Sequence, residues 1–143
     1  MTSGQIQEIT EEWHDLGFHY TYKESSTRWI ISGSRAGLLK FRDLLVEYSQ
    51  DTQREMLSEH EHYGPYGSLK VTTWNEPIIN GDAIQGTLED IARLGKIVEQ
   101  QVAQSEVGDI LIIDKEYSSR NQAVIELRIK ADEFNPALLD TNL

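Results

Sequence analysis

The chain has no cysteine, so disulfides, thiolate metal sites and cysteine nucleophiles are all excluded. Proline is scarce, with three in 143 residues, and no apolar run approaches the length of a membrane-spanning helix; Ile110-Leu-Ile-Ile113 is among the longest. Basic residues are also few. Thirteen Lys and Arg stand against 24 Asp and Glu, a net charge of −11. A field of that sign repels nucleic-acid phosphates and anionic lipid, and it speeds encounter with a basic protein. Residues Met1–Glu8 show neither a basic segment nor an apolar one, so a secretory leader is not expected and a cytoplasmic protein is.

What is present patterns as one domain. Over residues 5–16, Ile6, Ile9, Trp13 and Leu16 recur at helical spacing with Glu8, Glu11, Glu12 and Asp15 largely opposite, which predicts an amphipathic helix stopped by Gly17. Residues 18–22 and 28–32 read as two strands of a hairpin. Ser34 is a good N-cap for a helix from Arg35 to about Gln50, with Leu38, Phe41, Leu44, Leu45 and Tyr48 inward. Residues 59–67 carry two glycines and a proline and read as a loop, followed by a strand from Ser68 to Trp74 and a short one from Ala83 to Gln85. A second long helix runs from Leu88 to about Gln104, and strands are expected at 110–117 and 123–130. The tail 131–143 is expected to lie on the surface, held by Phe134 or Leu138.

The two helix starts echo each other. Ile31-Ser-Gly-Ser-Arg-Ala-Gly-Leu38 aligns with Ile84-Gln-Gly-Thr-Leu-Glu-Asp-Ile91 at an offset of 53, placing Gly33 on Gly86 and Ser34 on Thr87. In each case a strand ends at a glycine, a hydroxyl caps the next helix, and an apolar stripe follows. The expected core over 18–130 is β-β-α, β-β-α, β-β: an α+β domain whose mainly antiparallel or mixed sheet carries both long helices on one face.

Chemistry-bearing motifs are few. His60 and His62, two apart, would point the same way on extended backbone and are the candidate metal pair, with His14, His19 or a carboxylate as third ligand. No His-Glu-x-x-His pattern or nucleophile elbow occurs, so no metal, cofactor or catalytic residue is expected. Gly33-Ser-Arg-Ala-Gly37 lacks the Lys-Ser/Thr end of a phosphate loop. The stretch from Asp51 to Tyr66 joins acidic groups to exposed-type aromatics, so Asp51, Glu55, Glu59, Glu61, Tyr63 and Tyr66 are the expected partner-binding residues. In such a set the rings bury area and the carboxylates steer. The acidic helix from Glu8 to Asp15 is the next candidate.

Three stretches together resemble small bacterial immunity proteins of polymorphic toxin systems: Ile30-Ile-Ser-Gly-Ser-Arg-Ala-Gly-Leu-Leu-Lys-Phe-Arg-Asp-Leu44, Glu61-His-Tyr-Gly-Pro-Tyr-Gly67 and Ile84-Gln-Gly-Thr-Leu-Glu-Asp-Ile91. The resemblance covers residues 28–130. It implies a cytoplasmic, non-enzymatic antidote that binds and neutralises a toxin protein, and the charge adds that the toxin has a basic surface, as a nuclease does. It carries no functional residue across. The alternatives are a metal-dependent enzyme using His60 and His62, and a general acidic interaction domain.

Overall fold

Ser34 and Thr87 start the two long helices as their chemistry predicts. In the computed structural model, which describes residues 1–143, each hydroxyl accepts the N–H three residues on: Gly37 to Ser34 at 3.1 Å and Asp90 to Thr87 at 3.0 Å. The Asp90 carboxylate accepts from the Thr87 N–H in return, closing a capping box. Helix α1 spans Ser3–Leu16, α2 Arg35–Gln50 and α3 Leu88–Ala103. Gly17 ends α1 at φ 88°, a left-handed conformation that favours glycine, and returns its N–H to the Trp13 carbonyl. Helices α2 and α3 pack against each other through Leu45 and the smooth backbone at Gly95.

Eight strands accompany them: β1 His19–Lys23, β2 Arg28–Gly33, β3 His60–Tyr63, β4 Leu69–Thr73, β5 Ile78–Ile79, β6 Ile84–Gly86, β7 Ile110–Ile113 and β8 Val124–Ile129. They form two mixed sheets, ordered β1-β2-β8-β7 and β3-β4-β6-β5, where a single sheet holding 69–74 beside 28–32 was expected. Hairpin neighbours run antiparallel, while the central pairs β2–β8 and β4–β6 run parallel. Both sheets and all three helices contribute to one core of 25 buried residues, so the molecule is a single α+β domain.

The echo extends beyond the helix starts. Because β3 forms in the segment read as a loop, and β5 between the strands expected at 68–74 and 83–85, the chain divides into two β-β-α-β-β units, β1 to β4 and β5 to β8. Each sheet takes the first hairpin of one unit and the second hairpin of the other. In the parallel pairs Gly33 lies opposite Ile129, and Gly86 opposite Thr73. Beyond them Lys130 donates to the Gly33 carbonyl and Trp74 to that of Gly86, each at 2.8 Å. The edges repeat too: Thr73 donates to Glu59 O and Ser58 to Thr73 O, while Ile129 donates to Asp109 O and Gly108 to Ile129 O.

Two further departures have simple causes. The segment Glu59–Tyr63 alternates in two-residue steps but is polar, so nothing marks it as a strand; it needs no burial because β3 is an edge, paired only to β4. Leu138 is exposed and does not pin the tail. Instead Pro136 and Ala137 are buried in a 3-10 turn over Pro136–Leu139 that packs against α1 and β1.

Candidate functional site

Where α1, β1, the β3–β4 loop and the tail meet, the surface opens into a cleft of about 550 Å³. One wall is an arc of rings in sequence of contact. Tyr66 meets Trp13 edge-on at 6.3 Å, Trp13 meets Tyr20 at 5.2 Å, Tyr20 meets Trp29 at 6.4 Å and Trp29 meets Tyr22 at 5.2 Å. Period-two alternation on β1 and β2 brings Tyr20, Tyr22 and Trp29 to one face, since Tyr22 is the register partner of Trp29. The other wall is the tail from Leu139 to Asn142.

Asp140 is buried in this cleft. Its Oδ2 accepts from Trp13 Nε1 at 2.9 Å and from the Tyr66 hydroxyl at 2.6 Å, and its Oδ1 from the Asn142 N–H at 2.9 Å. Burial alone would raise its pKa; the hydrogen bonds from Tyr66, Trp13 and Asn142 outweigh burial and hold it below the ordinary carboxylate value. The Tyr66 hydroxyl is shifted the other way, upward, first by its hydrogen bond to Asp140. The shared proton therefore stays on the tyrosine. His19 stacks on Trp13 at 4.7 Å, and burial lowers its pKa against the opposing pull of Asp140, so its imidazole is neutral at pH 7.

The six residues expected at a partner surface separate into four groups. Asp51, Glu59 and Glu61 gather around one cation, Arg54, at 3.7 Å, 3.5 Å and in a closer contact respectively. Arg54 also donates to the His60 carbonyl at 2.6 Å, sealing part of the β3 edge. Asp51 further caps the 3-10 turn Thr52–Arg54 that follows α2. Glu55 is exposed without an ion-pair partner. Tyr63 packs on the core, and burial pushes its hydroxyl pKa well up, so it is a structural ring. Tyr66 alone reaches the cleft.

His60 and His62 do lie together, with ring centroids 5.2 Å apart. Their Nδ1 atoms face the carbonyls of Ser58 and Gly67 at 3.0 and 2.8 Å. His14 is engaged with Asn135 at 2.8 Å and His19 with Trp13, so neither joins the pair, and no set of three His, Asp or Glu side chains is placed to share an ion.

The sequence placed Trp13 on the apolar stripe of its helix, His19 among possible metal ligands and Tyr20, Tyr22 and Trp29 within strands, but it assigned none of them, nor Asp140, to this cleft. Trp13 and Asp140 are separated by 127 positions and no local pattern links them. Folding singles Trp13 out from that stripe as the only fully buried side chain of α1. Beside the cleft, α1 exposes Glu8, Glu11, Glu12 and Asp15, none of which has a cationic partner. A shallow groove between Glu12, Asp15 and Gly64 joins that face to the loop carrying Tyr66.

No helix of the molecule is long and apolar enough to cross a membrane. No protein-family model matches the chain, and searches of the curated proteins and of the solved structures find no match to it.

Proposed function

We propose that the protein is a non-enzymatic binding protein that captures a basic protein partner, in the manner of the cytoplasmic immunity proteins whose sequence pattern it resembles. The observation that carries this reading is the unpaired acidic face of α1 running into a cleft walled by aromatic rings. Four carboxylates without counter-charges supply long-range attraction, and the exposed Tyr66 with the half-buried Tyr22 supplies area to bury. Elsewhere, Asp51, Glu59 and Glu61 are partly neutralised by Arg54 and contribute less to the field. The inferred toxin is a protein with a cationic active surface, of which a nuclease is the obvious class.

The test is titration with the product of the neighbouring open reading frame. A stoichiometric complex is expected, with an association rate that falls as salt rises. Replacing Glu8, Glu11, Glu12 with Gln and Asp15 with Asn should slow association about tenfold at low salt. Absence of a complex, or an association rate indifferent to both salt and these four changes, would reject the proposal.

A further inference from the structure

The molecule holds two buried carboxylates at 8% exposure or less, and they are completed differently. Glu126, on β8, is 4% exposed and lies between two guanidinium groups, Arg28 in a close contact and Arg128 at 2.6 Å. Asp140 is 8% exposed and has no cation within ion-pair distance. Its three donors, an indole N–H, a phenol and a backbone amide, are all neutral. Hydrogen bonding satisfies its lone pairs but leaves its charge uncompensated in a partly dry site. The only ionisable base near it is His19, which burial keeps neutral. No lysine or arginine lines the cleft.

We propose that this cleft receives one guanidinium group, the end of an arginine side chain, and that Asp140 is its counter-ion. The arginine's source, a basic partner protein, rests on the capture reading above; the site itself rests on the geometry of the cleft. Three features favour a guanidinium over other guests. A negative centre stands beside the exposed Tyr66 ring, with the half-buried Tyr22 ring further along the cleft; these two offer π faces that attract a cation, while Trp13, Tyr20 and Trp29 are buried behind them. Guanidinium is planar and weakly hydrated, so it stacks on Trp and Tyr rings at less desolvation cost than an ammonium. Tyr66 is 45% exposed on a loop with left-handed glycines at 64 and 67, so its hydroxyl is a donor that an incoming N–H can displace from Oδ2. Acidic residues of α1 then face whatever basic surface surrounds the arginine.

The three tryptophans give a built-in readout. Trp13 donates its indole N–H to Asp140, Trp29 donates its own to Asn80 O at the far end of the arc, and Trp74 lies outside the cleft. The probe is N-acetyl-arginine amide, followed by the indole N–H resonances of the full chain. A saturable shift at Trp13 is expected with a dissociation constant of about 1 mM, the scale for a ligand of this size. The neutral isostere N-acetyl-citrulline amide should bind at least about tenfold more weakly, as loss of a charge-assisted contact implies. Asp140→Asn leaves one acceptor oxygen for Trp13 and Tyr66, gives up the one for the Asn142 N–H and removes the charge, and it should lose the arginine response to the same extent. An unchanged Trp29 resonance shows that this variant is folded. Tyr66→Phe should bind at least as tightly as the parent, because the competing hydroxyl is gone. Equal shifts with citrulline or with the lysine analogue, an undiminished response in Asp140→Asn, or equal movement of Trp74 would each overturn the assignment. The two proposals fail separately. A partner that binds Asp140→Asn as well as the parent removes the arginine site and leaves capture standing. An arginine response without any partner complex does the reverse.

Discussion

At matched positions of the second hairpins, one unit reads His60-Glu-His-Tyr63 and the other Ile110-Leu-Ile-Ile113. The inward members, Tyr63 and Ile113, both pack on the core, whereas the outward ones differ completely: two histidines on β3, and two isoleucines on β7 that are 60% and 40% exposed. The inner strands show the same division. Leu69, Val71 and Thr73 on β4 stand where Ile125, Leu127 and Ile129 stand on β8, and all six are at most 2% exposed. Between them, Lys70 occupies the place of Glu126. The frame therefore constrains one face of each strand, and the other face diverges with little cost. Inward positions also differ in size. Tyr20 of β1 corresponds to Ile79 of β5, and only the Tyr20 side has acquired α1, the tail and the ring-walled cleft.

The strongest way to break this comparison is to remove the side chain that fastens α1 to the first unit. Trp13 is 1% exposed, touches Tyr20 and His19, and donates to Asp140. Trp13→Ala should cost about 3–5 kcal/mol in chemical denaturation. Trp74, just past β4 in the other sheet, is 37% exposed, and Trp74→Ala should cost no more than about 1 kcal/mol. Similar costs for the two would show that α1 is an appendage without a structural share in the site.

A second comparison sets Glu126 against Lys70. Burial raises the Glu126 pKa, while hydrogen bonds and charge from Arg128 and Arg28 lower it further than burial raises it, so it lies below its ordinary 4.5. A depressed carboxylate stabilises the folded state above its unfolded pKa, and that stability is lost as pH falls through the folded value. Glu126→Gln should cost about 2–3 kcal/mol at pH 7, at or below the low end for a broken buried pair because both arginines are partly exposed and can rehydrate. The cost should shrink as pH is taken below about 4. Lys70 pairs with Asp82 at 3.0 Å, but Asp82 is 78% exposed, so Lys70→Met should change stability by less than about 1 kcal/mol. A flat pH profile for the difference between parent and Glu126→Gln would remove the charge argument.

The helices were legible because their information is local. Ser34 and Thr87 announce a start, and Phe41, Leu45, Leu94 and Val98 recur at helical spacing within one segment. Sheet membership was not, because alternation on β4 says which face is buried and nothing about which strand lies beside it. The echo at offset 53 was visible at the helix starts only, since the second hairpins match at 50 and 56 after connections of different length. Tyr66 was legible as an aromatic in a glycine-rich turn. Asp140 was not, because its meaning depends on an indole that folding brings from the opposite end of the chain.

The finest difference between the units is one atom group at one backbone position. Ser58 and Gly108 make the same hydrogen bond at the entry to the second hairpin, and both have positive φ, 75° and 96°. A side chain at such a φ costs about 1–2 kcal/mol, so one unit carries strain that the other avoids with glycine. Ser58→Gly should relieve it, less the entropy that a glycine adds to the unfolded chain, for a net gain of about 0.5 kcal/mol. Gly108→Ala should show the opposite sign and a loss of about 0.5–1 kcal/mol. The alanine test is free of packing effects, because a Cβ added at Gly108 meets no atom within 4 Å. Thermal unfolding of the two variants and of the pair together measures this, and additive changes are expected since the sites lie in different sheets. If Gly108→Ala is neutral while Ser58→Gly destabilises, the serine hydroxyl rather than the backbone is what that corner requires, and the equivalence of the two corners would be geometric without being energetic.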